Sequence, residues 1–301
     1  MLTRKQRVIL LKILSLFSVV RGYNVLVIVI AQYLASIYIM APDIPVREVL
    51  FDPNLFALVA ASALAIASGY IINNFYDAEK DLINRPRKSI LDRQVSQRFK
   101  LSTYFILNFI SVVFASYVSF KAVLFFAAYI FGIWFYSHKL KRRAFIGNII
   151  SALLAITPFF AVFIYYKNFD LVIFIHAIFL FLLILNREMI KDLENMKGDL
   201  VYDYKTVPVI YGERASKSMI TGLSLLTIAA AWLLIRQFEI GHMYYYFYAA
   251  IIILLLFLIV LWRSVSKVDY LLLHNILKFV IVTGVFSILL IDIDLVLNRF
   301  F

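Results

Sequence analysis

The chain has 301 residues, of which 63% are hydrophobic and only 16% are charged, and its mean hydropathy is +0.89. A soluble domain has about 45–50% apolar and about 25% charged residues, so much of this surface must face lipid. The absence of cysteine excludes disulfides, thiolate metal sites and thiol nucleophiles. The formal charge is +12. In a soluble protein this excess would suggest nucleic-acid binding, but in a membrane protein the basic residues mark the side of the bilayer on which a segment lies.

Apolar stretches long enough to cross a bilayer, about 17–25 residues each, recur along the whole chain, and nine spans are predicted. They run from Tyr23 to Met40, Leu55 to Ile72, Leu101 to Phe120, Ala122 to Tyr136, Ala144 to Tyr166, Phe169 to Leu185, Met219 to Ile235, Met243 to Trp262 and Ile276 to Leu297. The polar end of the ninth span carries Asp292 and Asp294. The prediction is an all-α integral membrane protein, a single transmembrane domain over residues 1–301 built as a helical bundle.

Basic residues alternate between the two sides of these spans. With the N-terminus inside, 25 of the 30 Lys and Arg residues fall in inner segments and five in outer ones. Cytoplasmic segments carry such an excess, so the prediction is an N-terminus in the cytoplasm and a C-terminus outside, in the cell or inner membrane. The basic, apolar first twenty residues have no small-residue cleavage site, which favours an interfacial helix over a removed signal peptide.

Acidic residues concentrate in two inner segments, and each segment contains Asn, Asp and Asp at steps of four. The first ladder is Asn73, Asp77 and Asp81, and the second ladder is Asn195, Asp199 and Asp203. Steps of four put side chains on one face of a helix, about one turn apart. The sequence therefore predicts two rows of oxygen ligands, the first at the inner end of span two and the second in the loop after span six.

Facing rows of this kind could bind Mg²⁺, which prefers one or two carboxylates together with phosphate and water oxygens. Nearby cations could bind the remaining charge of a diphosphate: Arg85, Lys88, Lys141, Arg142, Arg187 and Lys191. Acidic segments with interspersed lysines are also common as solvated connections. The presence of two ladders on one side, the first at the end of an apolar span, favours a functional site, because ionisable residues at membrane depth are costly to desolvate.

The first ladder belongs to a longer pattern that resembles a known family. The pattern comprises Gly69 to Asp77, Asp81, Asn84-Arg85-Pro86, the Lys141-Arg142 loop followed by Gly147-Asn148, and a second motif ending in Lys205 to Pro208. It is similar to the UbiA superfamily of intramembrane prenyltransferases, whose signature is Asn-x-x-x-Asp-x-x-x-Asp with a trailing Asn-Arg-Pro. The resemblance covers nearly the whole chain.

The chain departs from that family in two places. The second motif of the family has two Asp four residues apart, whereas Asn195 and Asp199 stand here. Asparagine is a weaker Mg²⁺ ligand than aspartate, so Asp192 or Asp203 is expected to supply the missing charge. After Asn-Arg-Pro the family continues with Pro and Gly, whereas this chain has Lys88 to Arg93.

The resemblance implies a helical bundle with a cytoplasmic polar cap that holds Mg²⁺ and a prenyl diphosphate, above an apolar cavity for the isoprenoid tail. It implies catalytic roles for Asp77, Asp81 and Asp199. The implied metal ligands are Asn73, Asp77, Asp81, Asp192 and Asp199, and the implied diphosphate contacts are Asn73, Arg21, Lys141, Arg142, Asn195, Arg85 and Lys191. The ring of Tyr136 or Tyr76 is expected to face the allyl cation.

The acceptor is predicted from two shorter runs, Arg21 to Asn24 and Arg187 to Glu194. They are most similar to the branch that adds geranylgeranyl to geranylgeranylglyceryl phosphate, which makes Mg²⁺, a prenyl diphosphate, a lipid-soluble acceptor and the bilayer the expected partners. No nucleic acid or protein partner is expected. Two alternatives remain: prenylation of an aromatic quinone precursor such as 4-hydroxybenzoate or dihydroxynaphthoate, and an ion-coupled transporter using paired acids.

Overall fold

A computed structural model describes residues 4–292. Within that range nine helices are long and apolar enough to cross a bilayer, which confirms the predicted number of spans and the all-α membrane fold. The nine are α2 (Gly22–Ala35, continued by a π-helical turn, Ser36–Met40), α4 (Pro53–Asp77), α7 (Gln97–Val118), α8 (Phe120–His138), α9 (Ile146–Tyr166), α10 (Leu171–Val201), α11 (Val207–Gln237), α12 (Tyr244–Arg263) and α13 (Lys267–Ser287). The remaining α-helices are α1 (Arg4–Val20), α3 (Val46–Leu50), α5 (Lys80–Asn84) and α6 (Pro86–Asp92).

Three helices extend nine or more residues past one predicted end of their spans, and α13 ends at Ser287, before the predicted end at Leu297. Helix α10 continues past Leu185 to Val201, α11 begins at Val207 and α13 begins at Lys267. Hydropathy marks only the lipid-crossing part of a helix, whereas these polar extensions stay helical because they pack on one another at one end of the bundle. The second ladder was therefore wrongly predicted to lie in a loop, and Asp294 lies outside the described residues.

Each ladder is also interrupted, contrary to the prediction of one continuous helical face. Asn73 and Asp77 lie on α4, but Asp81 lies on α5 after a break at Ala78 and Glu79. On α10 the ladder keeps Asn195 and Asp199. Asp203 follows the end of that helix with a φ of 53° and an exposed side chain.

Helices α4 and α10 form the centre of the bundle. Helix α4 packs against α2, α7 and α8, and α10 packs against α9, α11 and α13. Small, fully buried residues such as Ala61 and Ala65 let neighbouring helices approach α4 closely, and the Ser111 hydroxyl of α7 donates to the Ala61 carbonyl at 2.8 Å. The C-terminal ends of α4 and α10, with α5 and α6, form what we call the capped end.

Candidate active site

A polar cavity lies at the capped end between α4 and α10. Every predicted metal ligand lines it, as does every predicted diphosphate contact except Arg142. These residues are Arg21, Asn73, Asp77, Asp81, Arg85, Lys141, Lys191, Asp192, Asn195 and Asp199. The polar cavity therefore brings together side chains from four separate parts of the chain.

Asp77 is the most heavily contacted carboxylate of the first ladder. Its Oδ1 accepts hydrogen bonds from Lys141 Nζ at 2.7 Å and from the Tyr204 hydroxyl at 3.1 Å. Lys141 also donates to Asn73 Oδ1 at 3.4 Å. Burial, and next the negative charge of Asp77, raise the pKa of Asp81. Negative charge is thus concentrated along the first ladder, which favours a bound cation there.

The second ladder presents one buried oxygen that has no partner. Asn195 Oδ1 is buried without a hydrogen-bond partner, whereas Asp199 accepts from the Thr206 hydroxyl at 3.4 Å through one oxygen and lies 3.2 Å from the Lys80 ammonium through the other. Buried polar atoms normally have partners. The unpartnered oxygen of Asn195 on the cavity wall is therefore suited to bind a cation.

Lys80, to which the sequence pattern gives no role, lies between the two ladders. Its Nζ is 3.2 Å from Asp199 Oδ1 and 3.7 Å from Asp77 Oδ1, and it lies 4.0 Å from the centre of the Tyr204 ring. Burial opposes the charged form, but the carboxylates of Asp77 and Asp199 outweigh it and raise the pKa of Lys80. Burial, and then Asp77, raise the pKa of Tyr204 to about 12, so its hydroxyl remains a donor.

The structure distinguishes the two residues predicted to compensate for Asn195. Asp192 lines the polar cavity and accepts a hydrogen bond from Asn148 Nδ2 at 2.7 Å. Asp203 is exposed beyond the end of α10 and is absent from the lining. Asp192 is therefore the acid that is placed to supply the charge.

Three of the predicted cations are held by neighbouring groups. Arg85 pairs with Glu194 at 3.3 Å, and Lys191 pairs with Glu188 at 2.8 Å. Arg142 lies over the Tyr204 ring, 5.1 Å from its centre, outside the cavity lining. The prediction that Arg142 contacts the diphosphate is therefore not supported by its position, because its side chain is exposed and does not line the polar cavity.

Of the two candidate tyrosines, Tyr136 lines the polar cavity and Tyr76 does not. The ring of Tyr76 instead packs 5.4 Å from that of His138, and Lys141 Nζ lies 5.8 Å from the centre of the Tyr76 ring. Of these two, Tyr136 is thus the one whose ring is placed to face a cation inside the cavity.

A hydrogen bond ties the two motifs together beside the polar cavity. Asn84, at the end of α5, is buried, and its Oδ1 accepts from the backbone N–H of Gly198 on α10 at 3.1 Å. A Cβ at position 198 would lie 2.5 Å from the Asn84 side chain, so the close approach requires glycine. This contact explains why an Asn follows the first ladder.

Comparison with known proteins agrees with this arrangement, since residues 25–275 match the UbiA prenyltransferase family. The chain belongs to that family. The digeranylgeranylglyceryl phosphate synthase of Methanosphaera stadtmanae is 32% identical over 171 residues, a match covering 57% of this chain and 62% of the relative. The chain thus spans less than two thirds of the length of that relative.

Solved structures of UbiA homologues share the fold. One, from work on digeranylgeranylglyceryl phosphate synthase in membranes, has a TM-score of 0.67 at 20% identity, covering 92% of this chain and 97% of its own. A UbiA homologue from Archaeoglobus fulgidus bound to GPP and Mg²⁺ has a TM-score of 0.65 at 17% identity, covering 91% of this chain and 99% of its own.

Beside the polar cavity of this UbiA chain lies a second, basic cavity. Its cationic lining residues are Arg21, Arg85, Arg87, Lys88, Arg187, Lys191, Lys267 and Lys278, against Glu194 as an acid. Arg21, Arg85 and Lys191 line both cavities, so the two adjoin. Burial, and next the charge of Arg21, lower the pKa of Lys88, as expected where cations are crowded.

An apolar cavity lies between α2, α9, α10 and α13, with about 950 Å³ of empty space. Ala31, Ile156, Leu180 and Leu183 are among its walls. Helices α9 and α10 line both this cavity and the polar one, so the UbiA fold places an apolar space along the same helices that carry the polar groups.

Proposed function

We propose that this protein transfers a geranylgeranyl group from its diphosphate to geranylgeranylglyceryl phosphate in a reaction that requires Mg²⁺. The observation that carries the proposal is the polar cavity itself, where two ladders of oxygens and a set of cations lie on the helices that also line an apolar cavity. A diphosphate with a long hydrocarbon tail has this same division between a charged head and an apolar chain.

The donor groups of the polar cavity fit Mg²⁺ that is shared with a diphosphate. Within residues 4–292, no three acidic or histidine side chains are close enough to hold an ion by themselves. Mg²⁺ commonly takes only one or two protein carboxylates and completes its shell with phosphate and water, and the unpartnered oxygen of Asn195 is an available ligand. Asn73, Asp77, Asp81 and Asp192 would supply the others.

Mg²⁺ supplies charge stabilisation to the leaving diphosphate. The residues of the chain itself then perform three tasks. Lys141, Arg21 and Arg85 bind the diphosphate oxygens as the allylic C–O bond breaks. The ring of Tyr136 faces the allyl cation. The walls of the apolar cavity orient the tail and keep water away from the cation until the acceptor hydroxyl attacks it. The hydroxyl forms the ether bond and gives up its proton to the departing diphosphate.

The basic cavity supports a phosphorylated acceptor. It adjoins the polar cavity and its lining contains eight cations, more than an uncharged acceptor requires. A phosphate monoester there would leave the glycerol hydroxyl near the diphosphate. The similarity to proteins named digeranylgeranylglyceryl phosphate synthase supports the same acceptor.

We also infer that the capped end faces the cytoplasm, with the N-terminus on that side and the C-terminus outside. The support is the distribution of basic residues along the chain, because the segments at the capped end carry most of them. Cysteines introduced at Lys139 and at Lys167 of this cysteine-free chain would test it. Labelling of intact cells should modify only Lys167→Cys, and the reverse pattern would contradict the orientation.

The acceptor is tested by supplying purified protein with labelled geranylgeranyl diphosphate, Mg²⁺ and a panel of acceptors: geranylgeranylglyceryl phosphate, geranylgeranylglycerol, 4-hydroxybenzoate and dihydroxynaphthoate. Transfer to the phosphorylated lipid alone is expected. Lys278→Gln, in the basic cavity, should raise KM for that lipid by about tenfold and leave KM for the diphosphate unchanged, whereas the exposed Lys139→Gln should change neither. Transfer to an aromatic acceptor would reject the proposed acceptor.

A further inference from the structure

Lys80 is partly buried at the point where the two ladders meet. Its ammonium contacts Asp199 of the second ladder at 3.2 Å and Asp77 of the first ladder at 3.7 Å. The Tyr204 ring covers it at 4.0 Å. A divalent ion that bridged Asp77 and Asp199 would have to occupy this same position.

The second ladder is also a poor site for a metal ion of its own. Asn195 is neutral, and Asp199 is already paired with Lys80. Asp192 lies seven residues before Asp199 on α10, a rise of about 10 Å, so these two carboxylates cannot share one ion. The first ladder, in contrast, has the carboxylates of both Asp77 and Asp81.

The charges around the polar cavity also favour a single metal ion. Its lining holds five acids and five cations, so the two signs balance there: Asp77, Asp81, Glu188, Asp192 and Asp199 against Arg21, Lys80, Arg85, Lys141 and Lys191. The adjoining basic cavity adds further cations. Those further cations, together with one divalent ion, can neutralise a bound diphosphate, so a second divalent ion is not needed.

We propose that Lys80 takes the place of one metal ion: its ammonium stays between Asp77 and Asp199, contacts a diphosphate oxygen, and leaves a single divalent cation to accompany the substrate. This inference rests on the proposed function, since it concerns how that diphosphate is bound. The role of Lys80 is to bind and neutralise the leaving group, a task that an ammonium performs as a point charge.

The test counts bound ions instead of measuring turnover. Purified full-length protein in detergent is titrated with Mn²⁺ and inorganic diphosphate, and free Mn²⁺ is followed by electron paramagnetic resonance. One Mn²⁺ per chain is expected in the presence of diphosphate. Two per chain would overturn the inference while leaving the proposed function intact, whereas no diphosphate-dependent Mn²⁺ binding would count against both.

Variants give a second readout from the same titration. Lys80→Met should weaken diphosphate binding at fixed Mn²⁺ by about tenfold or more, the effect of losing one charged hydrogen bond, and Lys80→Arg should restore most of it. Lys197→Met, an exposed lysine of α10, is the matched control and should bind as the wild type does. If Lys80→Met bound diphosphate as tightly as the wild type does, the inference would be overturned. If that variant does not fold, the number of Mn²⁺ ions bound per wild-type chain still tests the inference.

Discussion

Replacing Asp77 by asparagine removes one negative charge from the most heavily contacted carboxylate of the polar cavity and changes little else. The amide oxygen can still accept from Lys141 and Tyr204, which lie 2.7 Å and 3.1 Å from the present Oδ1. The lost attraction between Asp77 and Lys141 is at most about 6 kcal/mol at an effective dielectric constant of about 20. Because desolvation of the pair offsets much of this, we expect the variant to lose about 1–3 kcal/mol of stability and to remain folded.

Activity should fall much further than stability. An amide is a poor ligand for Mg²⁺, which prefers charged carboxylates, and it cannot help to position the ion against the diphosphate. A loss of at least about 100-fold in kcat/KM, or about 2.7 kcal/mol of transition-state stabilisation, is expected for Asp77→Asn. The assay is Mg²⁺-dependent transfer of labelled geranylgeranyl to geranylgeranylglyceryl phosphate, with thermal unfolding measured on the same samples.

Asp203→Asn is the matched control for this prediction. The chemical change is identical, but Asp203 is exposed, and asparagine tolerates its left-handed backbone with a φ of 53°. We expect activity and stability close to wild type. If Asp77→Asn kept activity within a few-fold of wild type, or if Asp203→Asn lost as much, the first ladder would not be the metal site.

Three further predictions test the cavity and its supports. Gly198→Ala should destabilise the capped end by about 1–3 kcal/mol, because its Cβ would meet Asn84 at 2.5 Å. The control Gly222→Ala, with open space around the new Cβ, should be neutral or slightly stabilising. Equal melting temperatures for the two variants would refute this prediction. Ala177→Phe fills the apolar cavity and should lower kcat/KM for geranylgeranyl diphosphate relative to geranyl diphosphate by about tenfold, and an unchanged ratio would place the tail elsewhere. Asn195→Asp should leave Mg²⁺ affinity unchanged or tighter in a metal titration, and loss of metal dependence would contradict the ladder.

The nine spans could be predicted because lipid imposes long apolar runs that composition reveals directly. The polar extension of α10 could not be predicted in this way, because its residues from Asn186 to Val201 are too polar to stand out in hydropathy and are helical because they pack at the capped end. For the same reason the second ladder was expected in a loop. Spacing correctly paired Asn195 with Asp199, but it could not show that the next step, Asp203, falls beyond the end of the helix.

The residues that line the polar cavity were easier to predict than the contacts between them. Motif spacing identified the oxygens of both ladders and most of the cations. It gave no reason to select Lys80, because a lysine inside an acidic run usually serves to balance charge in solvent. Only the fold shows that the chain turns after Asp77 and brings Lys80 within 3.2 Å of Asp199. The position of Tyr204 beside Asp77 was likewise visible only in the fold.

The most direct test of the central claim is whether the purified protein transfers a geranylgeranyl group in a metal-dependent manner. The protein in detergent is incubated with labelled geranylgeranyl diphosphate and geranylgeranylglyceryl phosphate, in parallel with Mg²⁺ and with EDTA. We predict a labelled ether lipid with Mg²⁺, none with EDTA, and recovery when Mg²⁺ is restored. Absence of product in every sample, together with no Mg²⁺-dependent binding of the diphosphate, would contradict the account and favour a transporter.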